Sequence, residues 1–393
     1  MKKIEIDRAR QGGILLRWAA LFVGFTVWVG TCYAFKLSPE ATKIERMEAA
    51  SYDNRWLTTH LAKSGLYFFA KPVHEEIVQR AYLCDADIDD GGKCVDLQQE
   101  YAGPYVVAGA RWNDDPPFRL SQREAAKLGC DTRYTIRFTT QVLCWTKLFK
   151  LGEGRAGRGR TLGPKNASLM WRSHLGDLQF LHAMASKDGE SATVTRDSVL
   201  MWLELMWKIG SGDVRNSQLL RELKIQGMSK YFGTSGWTIQ DLLTLGIPAL
   251  RAHMAEVAFG SMAHVISDSF AGGHVTRAAP AVGRTCGGAL GYRAPGLIKE
   301  FHAYNRQDHN KHGDADTRDA FVEHVKSYRV AFTNPRIPED EIPHVVNIVK
   351  NLKVLLFEQR AKWDEVKPYL SCVFDVEDPS RAASPGAAFS IVQ

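Results

Sequence analysis

The segment that most constrains this chain is MAEVAFGSMAHVISDSFAGGHVTR, residues 254–277. Val257, Ala258, Phe259, Met262, Val265, Ile266 and Phe270 crowd around His264 and Asp268 and leave little polar surface. A helix that is apolar on most sides is a buried helix, and a carboxylate buried with it requires a partner charge or a metal. His264 and Asp268 lie four residues apart, so on a helix both project from one face. Gly272-Gly273 permits a sharp turn after the helix, from which His274 can swing back toward that face. Taken alone, this His-x3-Asp-x5-His array fits two readings equally. One is a buried His–Asp ion pair capped by a histidine; the other is the middle of a metal site, because neutral imidazole and carboxylate suit zinc.

Helical periodicity dominates the rest of the chain. VHEEIVQRAYL (73–83) follows Pro72, which suits a first helical turn. RDSVLMWLELMWKIG (196–210) carries a wide apolar face and stops at Gly210. Residues 238–273 read as a short helix, a break at Gly246-Ile247-Pro248 and a long apolar helix ending at Gly272-Gly273. Residues 342–366 read as one further amphipathic helix. RYTIRFTTQVLCW (133–145) is the best strand-like alternation and predicts a hairpin inside an insertion, and the glycine- and aspartate-rich HNKHGDAD has no clear helical pattern. The expected fold is all-α: a single mainly helical domain with irregular, disulfide-tied insertions. Its boundaries are 35–376, with an insertion at about 116–170 and a flexible tail at 377–393.

The first 34 residues have the form of an export signal. A basic stretch to Arg17 precedes the apolar run WAALFVGFTVWVG, and small residues precede a cleavage point after Ala34. The run is shorter than the roughly 20 residues of a spanning helix, although an uncleaved anchor is the alternative. A secreted or periplasmic location follows. The six cysteines beyond Cys32 (Cys84, Cys94, Cys130, Cys144, Cys286 and Cys372) suit three disulfides in an oxidising compartment, in a pairing that sequence leaves open. Without C-x2-C spacing they do not read as zinc ligands. The net charge of +6 falls to +3 without residues 1–34, too little for a general polyanion binder, while leaving room for a local basic patch.

Two motifs are set aside. GEGRAG (152–157) satisfies G-x-G-x-x-G without the flanking strand and helix of a dinucleotide site. It reads instead as a mobile basic loop with Lys150, Arg155, Arg158, Arg160 and Lys165. HEEIV at His74 is not H-E-x-x-H.

The central array resembles that of the zinc-dependent phospholipases C and the related single-strand-specific zinc nucleases, which carry His-x3-Asp-x5-His on a central helix. Four further pieces look similar, in the same order along residues 74–316. VHEEIVQRA resembles the early helix that supplies a histidine, here His74. RWNDDP resembles the segment with a metal-bound aspartate, Asp114, with Asp115 the competitor. SHLGD resembles a His-x2-Asp segment and points to His174, with His182 competing for the role. KHGDAD supplies His312 and Asp316, with His302 and His309 as alternatives.

The resemblance implies an all-α phosphodiesterase of the zinc-dependent phospholipase C type holding three Zn2+. Asp114, His174, His264 and Asp268 would hold one ion. His274, His312 and Asp316 would hold a second, and His74 with bridging Asp268 a third. In that family the mature N-terminus assists, which here would be Phe35. Asp114 would also orient or deprotonate the attacking water, and Asp177, Glu256 and Ser267 are candidates to hold the imidazoles. Leu66 and the aromatic residues Tyr67, Phe68 and Phe69 beside His74 are candidate substrate contacts if exposed, and ordinary core if packed. ARWNDDPPF and GDLQFLHAM look closer to the bacterial secreted phospholipase branch. The expected reaction is therefore hydrolysis of a phospholipid, with phosphatidylcholine first, to diacylglycerol and a phosphorylated head group at a membrane surface. Single-strand nucleic acid is the alternative substrate, and an exported interaction protein with structural histidines is the alternative class. No obligate protein partner is implied.

Overall fold

A computed structural model of the chain describes residues 42–49, 72–89, 93–95, 101–138, 140–287, 290–333 and 337–391. The export signal, Phe35, Leu66, Tyr67, Phe68 and Phe69 lie outside these residues. In chain order the α-helices are α1 (Lys43–Ala49), α2 (Val73–Tyr82), α3 (Pro104–Trp112), α4 (Gln122–Leu128), α5 (Val142–Ala156), α6 (Leu169–Leu175) and α7 (Ala192–Gly210). After them come α8 (Met228–Phe232), α9 (Ile239–Thr244), α10 (Met254–Asp268), α11 (His309–Ala315), α12 (Arg318–Ala331), α13 (Val345–Lys353) and α14 (Trp363–Val373). Between α10 and α11, β1 (Val275–Arg277) pairs antiparallel with β2 (Ile298–Phe301). The described residues are thus mainly helical, as the periodicity predicts.

The axis of the fold is α10. Thirteen of its 15 residues are buried, which explains why its sequence is apolar almost all round. It packs along α3 and α7 and touches α2 and α13. The α3–α10 contact is backbone to backbone. A Cβ on Gly109 would lie 2.2 Å from the Val257 carbonyl oxygen, and one on Gly260 would lie 2.1 Å from that of Val106. Only glycine permits such an approach. On the other side, Trp202 of α7 stacks on Trp112 at 5.6 Å, and its Nε1–H donates to Ser261 Oγ at 3.2 Å.

The two glutamates after His74 set the orientation of α2. Glu75 accepts from Arg111 of α3 at 2.8 Å, and Glu76 accepts from Arg318 of α12 at 2.7 and 3.0 Å. Both carboxylates are fully buried, and Glu76 also pairs with Arg80 at 2.8 Å, so each buried charge is compensated by arginine. His74 is thereby held against α10.

Disulfides join Cys84 to Cys94, Cys130 to Cys144 and Cys286 to Cys372, so all six cysteines beyond Cys32 are paired. Three such bonds are the mark of an oxidising compartment. Among the described residues no helix is long and apolar enough to cross a membrane.

Several local expectations are corrected. The hairpin at 133–145 is replaced by one bridge, Phe118 to Ile136, and by the start of α5. The Cys130–Cys144 bond and the Gln141 side chain, hydrogen-bonded to both main-chain groups of Asp131, close that loop too tightly for a strand pair. GEGRA is not a loop but the end of α5, where Gly152 lies against Trp171. HNKHGDA is helical, started by the Asp308 side chain accepting from the Asn310 and Lys311 amides. The helix expected over 342–366 is broken. After α13 a π turn at Val354–Glu358 leads to Arg360 at φ 53°, and α14 begins anew at Trp363. The segment read as a flexible tail lies along the body, bridging Ala382 to Ser191, Ser384 to His302 and Ser390 to Gln307.

Candidate metal centre

Five segments converge at the end of α10 nearest Asp268. His74 comes from the first turn of α2, and Asp114 from the turn that follows α3. His182 ends a 3-10 turn (Gln179–His182), His264 and Asp268 come from α10, His274 follows its terminal turn, and α11 brings His312 with Asp316. Their ligand atoms form three groups, each with all atoms within 4.8 Å of one another. The groups are His74 with His264 and Asp268, Asp114 with His182 and His264, and His274 with His312 and Asp316. All of these residues but His264, which lies fully buried behind them, line one cleft of about 500 Å3.

Asp268 is the shared centre. One carboxylate oxygen lies 2.9 Å from His264 Nε2, 3.0 Å from His182 Nδ1 and 3.6 Å from His274 Nδ1; the other lies 3.3 Å from His74 Nε2. Asp114 sits across the gap, 3.7 Å from both His182 and His264 and 4.0 Å from His74. Asp316 lies 3.2 Å from His312 Nε2 and 3.4 Å from His274 Nε2.

The ring protons can be placed by their partners. His264 Nδ1–H donates to the Ala110 carbonyl at 2.7 Å, and His274 Nδ1–H donates to the His182 carbonyl at 2.7 Å. Ser267 Oγ–H is used on the His264 carbonyl at 2.8 Å, so at 2.6 Å it accepts from His74 Nδ1. In a neutral ring each such bond leaves Nε2 as a lone pair directed into the cluster, the arrangement by which outer partners orient metal-binding imidazoles.

The electrostatics point the same way. Burial pushes the Asp268 carboxyl up, but His274, His264 and His74 outweigh it and hold it well below the usual range. Burial, then the Asp268 and Glu75 charges, raise Asp114 well above that range. Burial lowers His74 to about 4, aided by His264, and lowers His312 to about 4 against the pull of Asp316. His274 goes the other way: Asp268 and Asp316 overcome burial and raise it to about 10. Without a cation, then, the two close carboxylates are pushed in opposite directions, Asp114 toward its neutral and Asp268 toward its charged form.

The donor set fits a divalent cation. Among the described residues no Lys or Arg pairs with Asp114, Asp268 or Asp316, so the nearest compensating groups are imidazoles. The buried atoms His182 Nε2, His312 Nδ1 and Asp316 Oδ1 have no hydrogen-bond partner among the described residues. A neutral His264 would face Asp268 lone pair to lone pair at 2.9 Å, a contact that needs a proton or a cation.

The sequence-derived residues divide accordingly. His74, Asp114, His264, Asp268, His274, His312 and Asp316 come together, as does His182. His174 lines the same cleft but stands outside the three groups; its Nε2 is 3.0 Å from the Asp114 carbonyl oxygen. Asp115 turns away and accepts from the Phe138 amide at 2.7 Å. His302 bonds Gly273 and Thr276, and His309 pairs with Glu153 at 3.3 Å. Of the three candidate supporting groups, Ser267 touches His74, whereas Asp177 pairs with Arg172 and Glu256 with His253. The main-chain carbonyls of Ala110 and His182 do the rest of that work, and no side-chain pattern could have revealed them. Compared with known proteins, the chain matches no protein-family model, no curated protein and no solved structure.

Proposed function

We propose that this chain is a zinc-dependent phosphodiesterase acting on phospholipids, with phosphatidylcholine the first substrate to test. The observation that carries the reading is the set of three His/Asp groups meeting across Asp114 and Asp268 in one cleft. His74, His264, His182 and the two aspartates would hold zinc on one side, and His274, His312 and Asp316 on the other. Zinc held there supplies Lewis acidity toward an anionic phosphodiester, its attacking water and its leaving oxygen. Asp114, at the cleft wall, is positioned to take the water's proton on its carboxylate. His74 and His264 are fixed in one tautomer by Ser267 and Ala110, so the site needs little reorganisation.

A lipid substrate is favoured by a second cleft of about 480 Å3 that shares Val73, His74 and Asp316 with the first. Its walls are chiefly apolar, including Ile77, Phe270, Phe321 and Val345, and would accept the hydrocarbon beside a bound phosphate. One observation favours a zinc nuclease instead: the insertion 116–170 holds eleven Lys and Arg against three Asp and Glu.

The test offers phosphatidylcholine micelles and single-stranded DNA to the same zinc-assayed sample. Phosphocholine release without nucleotide release, abolished by chelator and restored by zinc, is the expected result. Nucleotide release alone would replace the lipid reading with the nuclease. A purified protein that binds no zinc would remove both enzymes and leave a structural role for the histidines.

A further inference from the structure

The insertion concentrates charge that the whole chain conceals. Residues 116–170 carry a net +8, whereas the rest of the chain beyond Ala34 carries −5. The charge is not spread evenly around α5. Its inner positions Cys144, Trp145, Leu148, Phe149 and Gly152 are buried, while Leu143, Lys147 and Leu151 are exposed on the other side. Arg158, Arg160 and Lys165 continue the exposed surface in the following loop. Next to α5, α4 adds exposed Arg123 and Lys127. The two helices are tied by the Cys130–Cys144 disulfide and by Lys147 Nζ donating to the Leu128 carbonyl at 3.2 Å. Among the described residues, none of Arg123, Lys127, Lys147, Arg158, Arg160 or Lys165 forms an ion pair within 4.0 Å of a carboxylate.

The helix that carries this surface turns its inner face to the metal centre. The buried rings Trp145 and Phe149 of α5 pack edge-on to His174 at 6.4 and 5.8 Å. Glu153 of α5 pairs with His309, one turn before His312.

We propose that the outer face of α4 and α5, with the loop 157–166, is a docking surface for anionic bilayers. Its occupant follows from its chemistry. Leu143 and Leu151 are 37% and 46% exposed and stand among the cations, the pattern of a helix lying in a headgroup layer. Nucleic acid would be met by stacking platforms, yet none of the exposed large apolar side chains among the described residues is aromatic. The choice of a lipid partner rests on the phospholipid reading above; the binding itself needs no catalysis.

The test measures partition of the zinc-loaded full chain onto vesicles of phosphatidylcholine with and without phosphatidylserine, with lipid integrity checked after each run. Binding should rise with the anionic lipid and fall as salt is raised from about 0.1 M to about 0.5 M. Joint replacement of Lys147, Arg158, Arg160 and Lys165 by alanine should weaken it about 600-fold, at about fivefold per basic residue. The double variant Leu143→Ser, Leu151→Ser should weaken it about tenfold while keeping the salt dependence. Both variants should keep the wild-type thermal midpoint and the wild-type rate on a water-soluble phosphodiester. Equal binding to neutral and anionic vesicles, or binding untouched by the four alanines, would overturn the proposal. So would tighter binding to a single-stranded oligonucleotide that the serine variant retains. A chain that docks on anionic vesicles without hydrolysing them sinks the phospholipid-hydrolysis reading and spares this one.

Discussion

At the scale of the residue, Asp268 decides the chemistry. It stands within 3.6 Å of His74, His182, His264 and His274, and so touches imidazoles of all three groups. Asp268→Asn keeps the shape and removes the charge. Zinc content should fall by at least one ion, and hydrolysis should drop more than the ~10–100-fold typical of losing an outer-shell partner. Atomic emission and a rate assay on one sample check this; full zinc at full rate would refute the shared-ligand assignment. His182→Ala and His174→Ala form a second comparison. His182 Nδ1 lies among the carboxylates, whereas His174 Nε2 faces the Asp114 main chain. Only His182→Ala should lose stoichiometric metal, and the reverse outcome would move the ligand back to SHLGD. The sequence left this choice open for a physical reason. Spacing fixes facing along one helix, as for His264 and Asp268, but His182 is aimed by a 3-10 turn closed by Ala183 at φ 50°. The same limit applied to Asp114 and Asp115, which are adjacent and point apart because one faces the cluster and the other binds the Phe138 amide.

At the scale of the element, the site depends on how closely α3 approaches α10. Gly109 and Gly260 let the two backbones touch, which brings the Ala110 carbonyl onto His264 and sets Asn113 to accept from Ser261 Oγ at 2.6 Å. Asp114 follows directly after. Gly260→Ala would place a methyl carbon 2.1 Å from the Val106 carbonyl oxygen, inside any allowed contact. The helices must separate, at a cost of about 1–3 kcal/mol, and Asp114 must move with α3. The expected result is a lower denaturant midpoint together with weaker zinc binding. An alanine variant matching wild type in both would show that the approach is dispensable. The long helices were legible because burial on one axis leaves a periodic trace, as α7 and α10 do. The break after α13 was not, because Arg360 adopts a positive φ with no glycine to announce it. The hairpin expected at 133–145 failed because alternation over a few residues does not distinguish a strand from a helix that buries Cys144, Trp145 and Leu148.

At the scale of the whole molecule, net charge proved the least legible property, since a sum of +3 beyond Ala34 hides a cationic segment, 116–170, in an otherwise acidic chain. The histidines outside the cluster set a second global property, the response of stability to acid. His324 of α12 sits between the rings of Phe270 and Tyr328 at 4.9 and 4.6 Å, and accepts from the Val345 amide at 3.5 Å. Burial, then the neighbouring His344 and Arg277, hold its imidazole down to about 3. In the unfolded chain a histidine titrates near 6.5. Between these values the unfolded state takes up a proton that the folded state refuses, so the stabilising contribution is full above about pH 6.5 and is lost as pH falls toward 3. Each pH unit in that window costs at most about 1.4 kcal/mol for this one group, less to the extent that the ring edge reaches solvent. His344, also lowered by burial, acts in the same direction. His324→Phe keeps a ring between Phe270 and Tyr328 and removes the titration. Urea midpoints of wild type and variant should therefore run parallel above pH 7 and diverge below 6.5, with the variant falling less steeply. Superimposable acid limbs would mean that His324 is as free to take a proton in the folded protein as in the unfolded chain, and that α12 is more open than its ring contacts imply.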